Sequence, residues 1–291
     1  MTAPGGPDDA GRPLFVLGFH RGGATFVQRL LNCHRQVMVW GENGGMVSRL
    51  RLLHQAFAEF AFPVDVEDFA RFEEFATRYE PFVSPMDADG LLIRMADFLE
   101  SLYKADGSLV WGFKEVRHGN PRDIGFLRQL FPQAGLLLLV RQPRELLNSQ
   151  VHVAWSPAQS VDINDYVTSF TKDYLRTIAA FSGAATRWPD QAWVYSYEAL
   201  RDREDMLAGL LSRIGLGAKG IDDGLIAQVR GTRVGSSFGE FGRGREVPPD
   251  EATTALVRLD ELLSSSLAEP RYKPVRETLE RLYPELELSR R

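Results

Sequence analysis

The chain has 291 residues, with 34 Lys and Arg against 39 Asp and Glu, a net charge of −5. That mild acidity excludes the broad basic surface of a general nucleic-acid binder, and 44% hydrophobic with 25% charged residues excludes a disordered chain. A single cysteine, Cys33, excludes an internal disulfide framework and a cysteine-rich zinc site, and the length suits one large α/β domain or two small ones.

Met1–Arg12 is rich in Gly, Pro and Asp and has neither a basic start nor an apolar stretch. It lacks the pattern of a signal peptide and reads as a disordered leader, residues 1–12, on a cytoplasmic protein. The longest purely aliphatic run, Leu136–Val140, is far short of the roughly 20 residues of a membrane helix. Leu14–Gly18 reads as a buried strand and Thr25–Asn32 has helical spacing at Phe26, Leu30 and Leu31. Val37–Trp40 reads as a second strand, ending at Gly41-Glu42.

From Met46 to about residue 105 the pattern is a helical insertion in pieces, with breaks expected at Pro63, Pro81, Pro85 and Gly90. Phe57, Phe60, Phe62, Phe69, Phe72, Phe75, Tyr79 and Phe82 load it with rings. Near-helical spacing of the later ones reads as a core face, or else some line an acceptor pocket. Leu109–Lys114 is the next expected strand, followed by a helix over Arg122–Phe131 stopped by Pro132. Gly135–Val140 is a continuous apolar run of the parallel-sheet type. It ends at Arg141, and Pro143 fits the first turn of a helix. Asp165–Trp188 reads as a long helix, Ala192–Ser196 as a strand, and helices follow to about Arg230. Gly231–Pro249, with five glycines and Arg233, Arg243 and Arg245, reads as a flexible basic loop before two charged helices. Strands alternating with helices imply an α/β domain over 13–291, a parallel sheet with helices on both faces. Ligands of such sheets bind beyond the carboxyl ends of the strands.

The segment Gly18-Phe19-His20-Arg21-Gly22-Gly23-Ala24-Thr25 lies between the first strand and the first helix. Such a turn aims backbone N–H groups and a helix N-terminus at one spot, which binds an oxyanion. The Gly-x4-Gly-x-Thr spacing is that of a P-loop, but Ala24 stands where its lysine belongs, and Arg21 can supply the missing cation. A nucleotide hydrolase also needs a strand-end Asp for magnesium. Here the most apolar strand ends in Arg141, which repels a metal and attracts an anion, so a phosphate-bearing ligand handled without metal is expected.

Taken together, Pro13–Glu42, Phe126–Gln150 and Trp111–Lys114 resemble the sulfotransferases that use 3′-phosphoadenosine 5′-phosphosulfate (PAPS). The first is similar to the family's 5′-phosphosulfate loop, with His20, Gly22 and Ala24 in place of its usual Pro, Ser and first Thr. The second is similar to its 3′-phosphate segment, with Arg141 and Ser149 at the family's spacing. Arg233–Arg245 resembles the loop that closes over the nucleotide, with one residue more between Gly235 and Gly239 than the usual motif. The resemblance implies a P-loop-like three-layer sandwich and sulfuryl transfer from PAPS to a hydroxyl or amine of a small or medium-sized acceptor, leaving adenosine 3′,5′-bisphosphate.

It further implies that Arg21 and the amides of Gly22, Gly23, Ala24 and Thr25 hold the 5′-phosphate, Arg141 and Ser149 the 3′-phosphate, and Arg233 and Gly235 the cover. Glu42 resembles the base of the tyrosylprotein branch, against a plain reading as a surface carboxylate or helix cap. His118 is the rival base by analogy with the small-molecule branch, against a plain reading as a solvated loop histidine. His20 is a third candidate. Lys114, at a strand end, would stabilise charge on the bridging oxygen, or else pair with a carboxylate. His34, His54 and His152 have no metal-ligand spacing and read as structural, and Cys33 reads as a buried helix residue. The aromatic-rich insertion hints at an apolar or aromatic acceptor. No nucleic acid or membrane partner is expected, and a homo-oligomer is compatible with the reading. The alternatives are a P-loop kinase and a catalytically drifted nucleotide-binding protein.

Overall fold

A strand that is apolar at every position belongs in the interior of a sheet covered on both faces, and Gly135–Val140 is buried at every residue. The computed structural model describes residues 11–60, 62–63, 83–84, 87–153, 160–232 and 248–286. Among them the strands are β1 (Arg12–Leu17), β2 (Val37–Trp40), β3 (Phe62–Pro63), β4 (Val83–Ser84), β5 (Val110–Glu115), β6 (Gly135–Val140) and β7 (Ala192–Ser196). The helices are α1 (Ala24–Leu31), α2 (Met46–Phe60), α3 (Ala88–Tyr103), α4 (Pro121–Leu130), α5 (Pro143–Val151), α6 (Ile163–Arg187), α7 (Tyr197–Asp202), α8 (Glu204–Arg213), α9 (Asp223–Gly231), α10 (Pro249–Leu267) and α11 (Lys273–Leu282).

Five strands make one all-parallel sheet in the order β2-β5-β1-β6-β7, and β3 pairs with β4 apart from it. Alternation along each strand divides the core. Phe15 and Leu17 of β1, Leu136 and Leu138 of β6 and Ala192 and Val194 of β7 face one layer, which α4, α6, α10 and α11 cover. Leu14, Val16, Leu137, Leu139, Trp193 and Tyr195 face the other, with α1 and α8. The register sets Phe15 opposite Phe113, ring centroids 4.7 Å apart. At Gly112 a Cβ would overlap the Leu14 carbonyl oxygen, so only glycine lets β5 lie this close to β1. Truncating a central residue such as Leu138 to Ala would cost about 2–5 kcal/mol, since the sheet cannot collapse around the void.

Chain direction supplies the site. From β1 the chain moves by α1 to the β2 edge, whereas from β6 it moves to the β7 edge. The loops leaving β1 and β6 therefore diverge and open a crevice at their carboxyl ends.

The three-layer parallel architecture agrees with the sequence-based expectation, and Gly135–Val140 and Ala192–Ser196 have the expected bounds. Two expectations need correction. Gly90 does not break the insertion: Asp87 caps α3 by accepting from the Gly90 N–H at 2.6 Å, so the glycine sits in the first turn. The segment expected as a leader also ends too late, because Arg12 already pairs with Val110. The rings of Phe69, Phe72, Phe75, Tyr79 and Phe82, and most of the expected basic loop after Gly231, lie outside the described residues.

Candidate active site

The turn after β1 is held by unusual backbone. Arg21 is at φ 63°, a left-handed conformation that costs a non-glycine residue about 1–3 kcal/mol. Gly23 follows at φ 86°. A Cβ on Gly23 would run into the Tyr197 ring, and the Gly22 N–H donates back to the Phe19 carbonyl at 2.9 Å. The N-terminus of α1 thus opens directly from Gly23 with no side-chain cap. Its first amides have no partner inside the helix and its dipole favours an anion there.

Two arginines meet at this turn. Arg141 leaves the end of β6 and its Nη1 donates to the Arg21 carbonyl at 2.8 Å, steadying the strained residue. Arg21 Nε in turn donates to Ser149 Oγ at 3.3 Å, from the second turn of α5. The Tyr174 hydroxyl donates to the Arg141 carbonyl at 3.0 Å, and the Tyr197 ring lies under the Arg141 guanidinium at 5.2 Å. Arg141 Nε is buried with no hydrogen-bond partner among the described residues. Burial, and then the charge of Arg141, lower the Arg21 pKa from its ordinary value. The nearest carboxylate to Arg141 in ion-pair range, Glu145, stands 3.7 Å away on an exposed side chain. Two crowded cations, an orphaned buried N–H and an uncapped helix form a place whose donors suit an anion.

Across the crevice the charges are balanced. Lys114, buried at the end of β5, sets its Nζ 2.5 Å from Glu42 Oε1. Arg117 Nη1 is 2.9 Å from Glu42 Oε2 and 3.0 Å from Glu115 Oε1. The Glu42 side chain is 34% exposed. Burial raises its carboxyl, but the hydrogen bonds and charges of Lys114 and Arg117 outweigh that and hold it below the ordinary glutamate value. His20 belongs to this neighbourhood. Burial and then Arg117 lower its pKa, against opposing pulls from Glu42 and Glu115, so it stays neutral at pH 7. Its carbonyl accepts from Gln150 Nε2 at 2.7 Å, which links the two sides of the crevice.

Sequence reasoning named most of these groups but not their grouping. Arg21 and Arg141, expected in two separate notches, share one cluster with Ser149. Ala24 and Thr25 open α1, and the Gly22 amide is spent within the turn. His118 is not a solvated loop histidine: it is fully buried, with Nδ1 3.2 Å from both Ser48 Oγ and Asp123 Oδ2. Asp123 also takes bonds from Ser48, Arg51 and Asn120. Burial raises that carboxyl, yet these donors drive it well below the usual aspartate range. Arg233 and Gly235 lie outside the described residues. Cys33 is buried as expected, but in the turn after α1 rather than in the helix, and His34, read as structural, is buried beside it. Tyr197, Glu115 and Arg117 were missed. Tyr197 could have been found as the residue just past the carboxyl end of β7, where ligands of parallel sheets bind. Among the described residues no group of three or more His, Cys, Asp or Glu could hold a metal ion, and no helix is long and apolar enough to cross a membrane.

A sulfotransferase domain from the curacin biosynthetic pathway superposes with a TM-score of 0.51 at 13% identity, over 93% of this chain and 98% of that one. Mouse sulfotransferase SULT7A1, solved in complex with PAP, gives 0.50 at 10% identity, over 93% and 89%. At these identities the likeness is one of fold. No curated protein matches the sequence. The sulfotransferase family model, however, matches residues 13–219, well over half of the chain and all five strands of the main sheet. The chain therefore belongs to the sulfotransferase family, whose chemistry is transfer of a sulfuryl group.

Proposed function

We propose that this protein transfers a sulfuryl group from PAPS to a hydroxyl or amine of a small or medium-sized acceptor in the cytoplasm, without a metal ion. The observation that carries the reading is the cationic cluster: Arg21 and Arg141 beside the uncapped start of α1, with Arg141 Nε buried and unpartnered among the described residues. A nucleotide with phosphates at both ends fits that donor set, since guanidinium forks and helix amides both suit phosphate oxygens. PAP in the mouse structure favours the same ligand class. Ala24 in place of a P-loop lysine, and Arg141 at the strand end, weigh against a P-loop kinase.

PAPS supplies the sulfuryl group and is left as adenosine 3′,5′-bisphosphate. The amides opening α1 hold the 5′-phosphate. Arg141 and Ser149 hold the 3′-phosphate, and Arg21, bonded to Ser149, bridges the two regions. Arg233 and Gly235 are the candidates for a cover. Lys114 places positive charge at the end of β5, where it stabilises negative charge as it develops. Glu42 accepts the proton of the acceptor hydroxyl, exchanging one of its bonds to Lys114 or Arg117 for one to the acceptor. His20 stays neutral beside that pair and is the second candidate for the proton. His118 is cast instead as a structural residue, because its Nδ1 is engaged with Ser48 and Asp123 in the interior.

Isothermal calorimetry with adenosine 3′,5′-bisphosphate, using ATP as the control, tests the reading. Preferential binding of the bisphosphate is the expected result, and equal or stronger binding of ATP overturns it. Tight binding with no transfer to any acceptor in a broad screen would instead support a drifted nucleotide-binding protein, a reading favoured by the engagement of both Glu42 oxygens.

A further inference from the structure

The loop that carries Glu42 leaves the sheet edge at β2 and turns through Gly44 and Gly45, both at positive φ, 67° and 78°. Such a turn has little stiffness of its own. A carboxylate from the neighbouring strand holds it. Glu115, the last residue of β5, is fully buried. Its Oε2 accepts from the Asn43 N–H at 3.2 Å and the Gly45 N–H at 3.0 Å. Its Oε1 accepts from the Val116 N–H at 2.8 Å, the Arg117 N–H at 3.2 Å and Arg117 Nη1 at 3.0 Å. That same Nη1 reaches Glu42 Oε2. A buried carboxylate must find several donors, and here they come from two loops, both of which lead to Glu42.

We propose that Glu115 is a positioning residue for Glu42, gripping the Asn43–Gly45 backbone on one oxygen and Arg117 on the other, and so holding the Glu42 carboxylate against Lys114. Its functional meaning rests on the reading of Glu42 as proton acceptor; its geometry does not. Burial raises the Glu115 carboxyl, but the Gly45 and Val116 amides together with the neighbouring His118 and Arg117 outweigh burial and hold it below the ordinary glutamate value. The charged and titratable groups around Glu42 are Lys114 and Glu115 from β5, Arg117 after it, and His20 from the turn after β1.

The test turns on a sign. Glu115→Gln removes a negative charge near Glu42, and the field change alone lowers the Glu42 pKa. Release of the loop takes Glu42 off Lys114 and Arg117 and raises it. Carbon-13 NMR of full-length protein labelled at the glutamate carboxyls, with the Glu42 signal assigned from Glu42→Gln, reads the difference. We expect the Glu42 midpoint to rise by roughly half a pH unit or more, while adenosine 3′,5′-bisphosphate affinity stays within about twofold. A midpoint that is unchanged or lower overturns the proposal. Should Glu115→Gln fail to fold, Glu115→Asp keeps the charge and draws the carboxylate back from the Asn43 and Gly45 amides. There too the Glu42 midpoint should rise, and a static midpoint overturns the proposal. Loss of nucleotide binding in the wild type, with the NMR shift present, would sink the sulfotransfer reading and leave the positioning role standing.

Discussion

The two sides of the crevice solve opposite electrostatic problems. On the β1–β6 side, Arg21 and Arg141 crowd together with an orphaned N–H and an uncapped helix, and among the described residues no carboxylate but the exposed Glu145 stands in ion-pair range. On the β2–β5 side, Lys114 and Arg117 meet Glu42 and Glu115, and the charges cancel within hydrogen-bond distance. The first side carries unbalanced positive charge and the second keeps its own charges in order. On the proposed reading the difference makes nucleotide affinity and proton handling separable, because the groups for each are clustered apart on different strand ends.

The sharpest way to break that comparison is at Glu42. Glu42→Gln should reduce transfer to any acceptor the wild type uses by about 10²–10⁴-fold, the usual worth of a general base. Bisphosphate affinity should stay within about twofold. If transfer persists and His20→Ala abolishes it, the base has been misassigned between two neighbours. On the other side, Arg141→Ala should weaken bisphosphate binding at least tenfold, about 1.4 kcal/mol, since charge-assisted phosphate bonds carry roughly 1.5–3 kcal/mol. Calorimetry showing full affinity in that variant would remove Arg141 from the site.

Gly23→Ala sharpens the same side through the backbone. The new methyl meets the Tyr197 ring at a φ of 86°, so a loss of about 1–3 kcal/mol in denaturant unfolding is expected. The smallest effect concerns the buried cluster behind the β2–β5 side. Asp123 has its pKa lowered in the folded state, so the stability it contributes is present at neutral pH, above its unfolded value of about 3.9. It is lost as pH falls below that value toward the folded one. Urea midpoints measured between pH 7 and 3 should decline less steeply in Asp123→Asn than in the wild type; parallel curves would mean that the carboxylate is not so held.

Legibility followed the range of the interaction. Gly135–Val140 could be read because a run of six apolar residues admits one kind of strand. The turn at Gly22-Gly23 could be read because spacing alone brings a glycine turn to a helix start. Glu115 could not be read as a clamp, since beside Lys114 it looks like a local ion-pair partner, whereas its donors include amides 70 and 72 residues upstream. His118 was misjudged for the same reason. Ser48 and Arg51 of α2 close over the His118–Asp123 pair from more than sixty positions upstream, and no local pattern announces that burial.

Composition, alternation and turn chemistry were therefore enough to determine a parallel sheet with a glycine turn at a helix start and an arginine at a neighbouring strand end. Those features depend on residues within a few positions of one another. Which charges meet, and which stay unbalanced among the described residues, was decided only when the order β2-β5-β1-β6-β7 brought distant strand ends together. Arg21 and Ser149 stand 128 positions apart, Glu42 and Lys114 stand 72 apart, and each contact exists because the sheet, not the chain, makes them neighbours.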